Sequence, residues 1–190
     1  GVDIVAEPVE SRRRIGYIPD RPYLYEKLTA REFLQFVGGI YGVPAELIRS
    51  RGDALLAEND LLDRADELVE AYSHGMKQRL VLSAALLHQP RLLIVDEPMV
   101  GLDPAGKRRI KDKFRAVADS GRSVFLSTHS LDTAQEVCDR VGILYKGRLV
   151  ALGTVDQLIS DRGTSDLEQV FLAITQEESA TAAALRSEGA

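Results

Sequence analysis

Apolar and polar positions divide the chain into two regions with different patterns. From residue 26 to residue 89, apolar residues recur at helical spacing and no segment has the pattern of a strand. From residue 91 onwards, short apolar runs alternate with amphipathic stretches, a pattern typical of strand–helix units with a parallel sheet. We therefore expect an α/β protein in which helices flank a parallel sheet and a helical segment is inserted.

The first region has clear start and stop signals. A strand over residues 14–18 is followed by a loop at Pro19–Pro22, because proline lacks an amide donor. Thr29 and Glu32 predict a capping box for a helix that ends near residue 40. Further helices are predicted over residues 45–59, 61–69 and 73–88, the last one capped by Ser73.

The second region alternates between the two element types. Strands are predicted at residues 92–96, 124–128, 143–145 and 149–152, with a Lys146-Gly147 turn joining the last two. Helices are predicted at residues 104–119, 131–141, 154–159 and 166–175. The alanine-rich residues 179–190 have the composition of a loosely held tail.

Composition excludes several classes of protein. The 190 residues carry a net charge of −5, which argues against a nucleic-acid-binding surface. No apolar run approaches the roughly 18 residues needed to span a bilayer. The single Cys138 rules out an intramolecular disulfide and suits a reducing compartment; its helical spacing predicts a small buried residue.

The most informative segment ends the predicted strand 92–96. The apolar residues 92–95 lead directly into Asp96, Glu97 and Pro98. Ligands of parallel sheets bind beyond the carboxyl ends of strands, so these acids are expected at a binding edge. One acid can hold magnesium and the next can polarise a water molecule. A strand end followed by an acidic turn is the alternative interpretation.

Three further motifs accompany the acidic pair. They are Tyr72-Ser73-His74-Gly75-Met76-Lys77-Gln78-Arg79 upstream, Gly101-Leu102-Asp103-Pro104 just downstream, and His129 after the strand 124–128. In this order, the motifs resemble those of the ATP-binding cassette (ABC) ATPases from about residue 14 to residue 154. The resemblance implies an incomplete P-loop NTPase-type sheet, with ATP and Mg²⁺ as cofactors.

The resemblance implies roles for residues near the acidic pair. Asp96 corresponds to the carboxylate that holds Mg²⁺ through water, and Glu97 to the general base for the attacking water. His129 corresponds to the histidine that contacts the γ-phosphate. Asp20 stands where the family has a glutamine that touches magnesium, and its shorter, charged side chain is a departure from the pattern.

Other roles concern a second subunit. Ser73 and Gly75 correspond to the signature motif, which contacts ATP held by the opposite subunit, and Asp103 to the D-loop. Ser73 and Asp103 are also sufficient as helix caps, and the two roles are compatible. The tyrosines around Asp20 suggest a docking loop for a membrane partner, although packing onto the core explains them equally well.

One family motif has no match. The P-loop, G-x-x-x-x-G-K-S/T, cradles phosphates through its backbone amides. Residues 101–108 nearly fit but place Arg108 at the Ser/Thr position, and residues 142–149 lack the lysine. We therefore expect a fragment of a longer protein that is inactive and marginally stable by itself, with the strands 124–128 and 143–145 not directly paired.

The resulting functional hypothesis is an ATP-hydrolysing subunit of an ABC transporter, of the exporter type. Its expected partners are a permease and a second ATP-binding subunit, with no nucleic acid, at the cytoplasmic face of the membrane. A soluble non-transport ABC ATPase and a non-catalytic partner in a heterodimer are the alternatives. The predicted segments are residues 1–25 with the Q-loop, 26–89 as the helical subdomain, 90–160 as the catalytic core, and 161–190 as the C-terminal helix and tail.

Overall fold

A computed structural model describes residues 1–21, 23–99 and 102–176. The chain separates into two compact units, Gly1–Ser127 and Thr128–Ala190. The first unit holds a three-stranded sheet and most of the helices, and the second holds a two-stranded sheet with its own helices.

The sheet of the first unit consists of β1 (Ile15–Ile18), β2 (Leu92–Asp96) and β3 (Ser123–Ser127). All three strands are parallel, and β2 lies between the other two. The predicted parallel sheet is therefore confirmed in this unit. Because the strands are parallel, their carboxyl ends lie along one edge.

The two faces of this sheet differ in burial. Leu93 and Val95 of β2 are completely or almost completely buried. On the opposite face, Tyr17, Ile94 and Phe125 lie side by side in register, and Tyr17 and Phe125 are largely exposed. Buried and exposed residues alternate because successive side chains of a strand point to opposite faces of the sheet.

The described part of the first unit contains four longer helices, besides a short one near the start of the chain. They are α2 (Ala30–Ile40), α3 (Ala45–Glu58), α4 (His74–Leu87) and α5 (Pro104–Asp119). The capping box predicted at Thr29 and Glu32 is confirmed. Helix α4 is buried along its whole second half, residues 80–87, as expected for a helix packed on several sides. It approaches β1 so closely that a Cβ on Gly16 would lie 2.6 Å from the Ala85 carbonyl oxygen.

The helix predicted over residues 61–69 is wrong. Only two short 3₁₀ turns form there, Leu62–Arg64 and Val69–Ala71. Leu61, Ala65 and Val69 are fully buried, so their four-residue spacing imitates a helix. The Val69 amide instead donates to the Leu28 carbonyl, and the Ala65 carbonyl accepts from Arg31. These tertiary hydrogen bonds replace the helical ones.

The helix α1 (Pro8–Arg13) carries no strong sequence signal, and we did not predict it. It begins with Pro8 at its first turn, a favourable position because the missing amide would be unpaired there anyway. Arg14 follows the helix and forms an ion pair with Glu10. The basic residues 12–14 thus belong to an exposed helix end.

The second unit is built around an antiparallel hairpin. It contains α6 (Leu131–Val137), β4 (Val141–Tyr145), β5 (Arg148–Gly153), α7 (Val155–Arg162) and helical residues 167–176. Lys146 and Gly147 both have positive φ angles, as a tight hairpin turn requires. A core of buried residues lies between the hairpin and the helices: Ala134, Val141, Ile143, Leu158, Leu167, Val170 and Ile174.

In the second unit, the predicted length of α6 and the predicted burial of Cys138 differ from the structure. The helix predicted over residues 131–141 is too long, because Cys138 already has extended backbone angles and ends α6. Cys138 is half-buried against the core rather than fully buried. The predicted tail, residues 179–190, lies outside the described residues.

The sequence also predicted that the strand before His129 and the strand after α6 are not directly paired. Among the described strands, β3 pairs with β2 alone and β4 with β5 alone. The two strands belong to different compact units, so the absence of direct pairing between them stays a prediction. Within residues 1–21, 23–99 and 102–176, none of the helices combines the length and the hydrophobicity that spanning a bilayer requires.

Two adjacent glycines of α2 allow a matched test of its packing. A Cβ on buried Gly38 would lie 2.6 Å from two Ile48 side-chain atoms, whereas one on exposed Gly39 would meet nothing within 4 Å. We expect Gly38→Ala to lower the free energy of unfolding by about 1–3 kcal/mol through overpacking. Gly39→Ala should raise it by about 0.5–1 kcal/mol through helix propensity. Urea unfolding of both variants checks this, and equal effects would contradict the packing of α2 on α3.

His88, just after α4, predicts a pH dependence of stability. Its ring stacks on Tyr41 with centroids 3.7 Å apart, and its Nε2–H donates to the Ile15 carbonyl at 3.0 Å. Burial lowers the pKa of His88 below its ordinary value of 6.5, and the hydrogen bond to Ile15 opposes this shift. Nδ1 is buried without a hydrogen-bond partner among the described residues.

A lowered pKa means that the unfolded chain binds the proton more readily than the folded one. The stabilisation is therefore complete above the ordinary pKa of 6.5 and is lost as the pH falls towards the folded value. Between about pH 7.5 and about pH 5.5, wild type should lose more free energy of unfolding than His88→Gln. Parallel pH losses in the two proteins would show that His88 does not titrate in this way.

Candidate functional site

The acidic pair lies at the carboxyl end of the central strand. Asp96 is the last residue of β2, is half-buried, and lies opposite Ser127 of β3. The next residues, Pro98 and Met99, are buried, so the chain turns back into the protein directly after the acids. The arrangement places Asp96 and Glu97 at the rim of the sheet, as predicted.

Glu97 has a backbone conformation that the sequence did not predict. Its φ angle is +44°, in the left-handed region, and its N–H donates to the Ser127 carbonyl at 3.0 Å. A non-glycine residue in this region costs about 1–2 kcal/mol. Such strain is characteristic of functional sites, where the surrounding structure enforces it. Nothing in the residue type glutamate signals this conformation, so only the structure reveals it.

The structure brings Asp20 to the same edge of the sheet as Asp96. Asp20 lies two residues beyond the end of β1, is exposed, and β1 neighbours β2. His129 is exposed, follows the end of β3 by two residues along the chain, and belongs to the second unit. Four residues were predicted around the phosphate and metal. Three of them lie in the first unit, at or just beyond the carboxyl ends of two neighbouring parallel strands: Asp20 after β1, and Asp96 and Glu97 at the end of β2.

Ser73 is exposed at the start of α4 and caps it. The Ser73 hydroxyl accepts a hydrogen bond from the Met76 amide at 3.3 Å, and the Ser73 carbonyl accepts one from Lys77 at 2.9 Å. Helix N-termini carry unpaired amides and a partial positive charge, which favour anions. Among the described residues, a Cβ on Gly75 would contact only Leu102, at an ordinary 3.6 Å, so packing against them does not require glycine there.

Asp103 caps α5 in the same manner. Its side chain accepts from the Gly106 amide at 2.9 Å, and Pro104 occupies the first turn. Residues 104–108, which lie in the near-match to a P-loop, are thus helical, and Arg108 occupies the Ser/Thr position of that motif. Of this motif, Gly101 lies outside the described residues.

The acids fit a magnesium ion that accompanies a nucleotide. In nucleotide sites, Mg²⁺ keeps several waters and uses one or two carboxylates plus phosphate oxygens. Asp96 supplies such a carboxylate at the sheet edge, and Asp20 lies at the same edge. In the described part of the chain, no group of three or more His, Cys, Asp or Glu side chains could cage a metal. A metal held mainly by substrate matches this donor set better than a protein-caged one.

A cavity of about 240 Å³ lies elsewhere in the first unit, between the end of α3 and α5. Two ion pairs lie at its rim, Lys113–Glu58 and Arg109–Asp60. Glu58, Arg109 and Lys113 line the cavity. None of the predicted site residues lines it. The site chemistry therefore belongs to the open edge of the sheet and not to this cavity.

Comparison with known proteins agrees with the motif order. The sequence model described as "ABC transporter" matches residues 2–100. The ABC-type transporter ATP-binding protein EcsA of Bacillus subtilis is 35% identical over 180 residues, which cover 94% of this chain and 73% of EcsA. The linearmycin resistance ATP-binding protein LnrL of the same organism is 35% identical, with 90% of this chain and 55% of LnrL covered.

A solved structure, described as the ATP-binding subunit of an ABC transporter, superposes with a TM-score of 0.84 at 34% identity. The match covers 92% of this chain and 74% of that one. The chain spans about half the length of several curated relatives, LnrL among them. The resemblance drawn from the motifs is thus confirmed: the chain belongs to the ATP-binding proteins of the ABC transporter family.

Proposed function

We propose that this chain supplies the catalytic acids and the signature helix of the ATP-hydrolysing subunit of an ABC transporter. The observation that carries the proposal is the acidic pair at the end of the central strand, where Glu97 is held in a left-handed conformation. Membership of the family gives this pair its chemical meaning.

In the proposed mechanism, Glu97 orients a water molecule and accepts its proton as the water attacks the γ-phosphate. Asp96 would hold Mg²⁺, with Asp20 as a second carboxylate at the same edge of the sheet. The bound Mg²⁺ would offset negative charge on the phosphates. His129 donates a hydrogen bond to the γ-phosphate. Catalysis of this kind depends mainly on positioning and on stabilisation of charge.

Ser73 and Gly75 are proposed to act on the nucleotide of a second ATP-binding subunit. The exposed Ser73 at the start of α4 supports this role, since its hydroxyl and the neighbouring amides can bind phosphate oxygens. Gly75 supports it in another way. Because the described residues leave room for a Cβ at Gly75, we propose that the missing side chain allows close approach of the partner's nucleotide. Asp103 is proposed to contact the partner across the same dimer interface.

The phosphate cradle is the component that these residues do not supply. The 190 residues contain no G-x-x-x-x-G-K-S/T sequence. Because the backbone amides of that loop provide most of the contacts to the phosphates, the polypeptide by itself should bind ATP weakly. The proposed functional segments are residues 1–25, 26–89, 90–160 and 161–190, of which the third includes residues of both compact units.

The proposed membrane partner is a permease, and the proposed location is the cytoplasmic face of the membrane. We define the aromatic surface as Tyr23, Tyr25 and Phe36, which are exposed by 82%, 60% and 43%. Exposed aromatic clusters are characteristic of protein interfaces. Relatives named for resistance or export, such as LnrL and a Nod factor export protein, support the exporter direction.

A P-loop segment joined ahead of Gly1 provides a test of the catalytic assignment. The native 190-residue polypeptide should show background ATP hydrolysis, and the fusion should hydrolyse ATP. In the fusion, Glu97→Gln should lower kcat by about 10²–10⁴-fold, because a general base is lost. ATP affinity should persist, since Glu97 does not hold the phosphates. Steady-state phosphate release and nucleotide titration measure the two quantities.

Asp119→Asn is the matched control, since Asp119 is an exposed carboxylate at the end of α5, in the same unit. It should leave kcat unchanged. Equal activity of the Glu97→Gln fusion and the parent fusion would overturn the role of Glu97.

The aromatic surface generates a separate prediction. Tyr23→Ser combined with Tyr25→Ser should weaken co-purification with the permease by about tenfold or more, because aromatic residues dominate interface energies. Leu172→Ala, an exposed apolar position in the second unit, is the control. Quantitative pull-down from detergent measures the effect. Similar losses in both variants would show that the aromatic surface has no special role.

A further inference from the structure

Residues 26–28, directly after the aromatic surface, are bonded to the segment that precedes Ser73. The Glu70 amide donates to the Glu26 carbonyl at 3.0 Å, and the Val69 amide donates to the Leu28 carbonyl at 2.9 Å. The side chains of Lys27 and Glu70 form an ion pair across the same contact. Two stretches about 40 residues apart in sequence are thereby joined through backbone and side chains.

One side-chain contact extends from this loop to α4 itself. Glu26 forms an ion pair and hydrogen bond with Lys77, whose side chain is only 20% exposed. Lys77 holds the pKa of the Glu26 carboxyl below its ordinary value. Lys77 also closes the first turn of α4, because its amide donates to the Ser73 carbonyl at 2.9 Å. Glu26 therefore contacts Lys77, and Lys77 is hydrogen-bonded to the carbonyl of the signature serine, Ser73.

The other end of the connection is the aromatic surface. Tyr25 immediately precedes Glu26 and packs edge-to-face on Phe36, with ring centroids 5.0 Å apart. The Tyr25 carbonyl accepts a hydrogen bond from the Leu28 amide at 3.0 Å, which closes a turn around Glu26 and Lys27. A partner that displaces Tyr25 would thus move the backbone that carries Glu26.

We propose that the Glu26–Lys77 pair is a positioning contact, which couples occupancy of the aromatic surface to the placement of Ser73. The inference rests on the proposed function, since it specifies how a membrane partner would regulate the signature helix. The pair suits this role because it is half-exposed on the Glu26 side. An ion pair of this kind is weak enough for a docking partner to break or re-form it.

Hydrogen exchange of the 190-residue chain tests the local part of the proposal without any ATPase activity. In Glu26→Gln, exchange of the Met76 and Lys77 amides should accelerate by between about 1.5-fold and 5-fold, the range expected from loss of a partly exposed ion pair. The double variant Glu26→Lys with Lys77→Glu should restore slow exchange, because it re-forms the pair with reversed charges.

Lys27→Gln is the matched control. It breaks an ion pair of the same loop, but Lys27 contacts Glu70 and not α4. It should therefore leave exchange at the start of α4 unchanged. Unchanged exchange in Glu26→Gln, or equal acceleration in Lys27→Gln, would overturn the positioning role.

The coupling itself is measured with the P-loop fusion and the permease in lipid vesicles. The ratio of permease-stimulated to basal ATPase should fall towards one in Glu26→Gln, recover in the charge-reversed double variant, and persist in Lys27→Gln. A ratio that is intact in Glu26→Gln overturns the coupling. If the parent fusion hydrolyses no ATP, the proposed function fails instead, and the exchange experiment alone decides whether Glu26 positions α4.

Discussion

The burial of β2 between two parallel strands is the constraint on which the site depends. Leu93 and Val95 are shielded from water, and each lies in register with residues of β1 and β3. A strand fixed on both sides cannot slip without moving apolar side chains to the wrong face. This fixed register is what delivers Asp96 and Glu97 to the edge of the sheet, at the position where neighbouring strands also end.

Helix α4 links this edge to the helical core. Leu80 and Leu87 belong to the core of the helical segment, while the same helix approaches β1 at Gly16. A helix buried on several sides is a rigid element, since any rotation would open cavities. Ser73 is therefore mounted on an element that is packed against the sheet of the acidic pair. Ser73 and the acidic pair therefore share one framework, formed by α4 and the sheet that contains β2.

Two features next to these elements differ in rigidity. Glu97 has a left-handed backbone, and the Ser127 carbonyl holds its amide in place. The loop of Glu26 is held by the backbone bonds to residues 69 and 70, with a weaker side-chain contact to Lys77. The first arrangement is rigid because it is enforced by the sheet. The second can be adjusted, because exposed ion pairs contribute little to stability.

The sequence by itself determined those helix starts that have a side-chain cap, because a cap needs only the residues of its own first turn. Thr29, Ser73 and Asp103 are caps in the structure as predicted. The strand that ends in the acidic pair was equally predictable, since a short apolar run bounded by acids and proline is a local pattern. The chemical roles proposed for the site residues come from the family motifs, which are also local patterns.

Only the tertiary structure decided the rest. The apolar spacing of residues 61–69 is compatible with a helix. The backbone of this segment is instead hydrogen-bonded to the backbone of Leu28 and Arg31. The left-handed conformation of Glu97 depends on β3, 30 residues further along the chain. The Glu26–Lys77 pair joins positions separated by 51 residues. In each case the competing interaction comes from a distant segment, and a local pattern carries no information about which segment that will be.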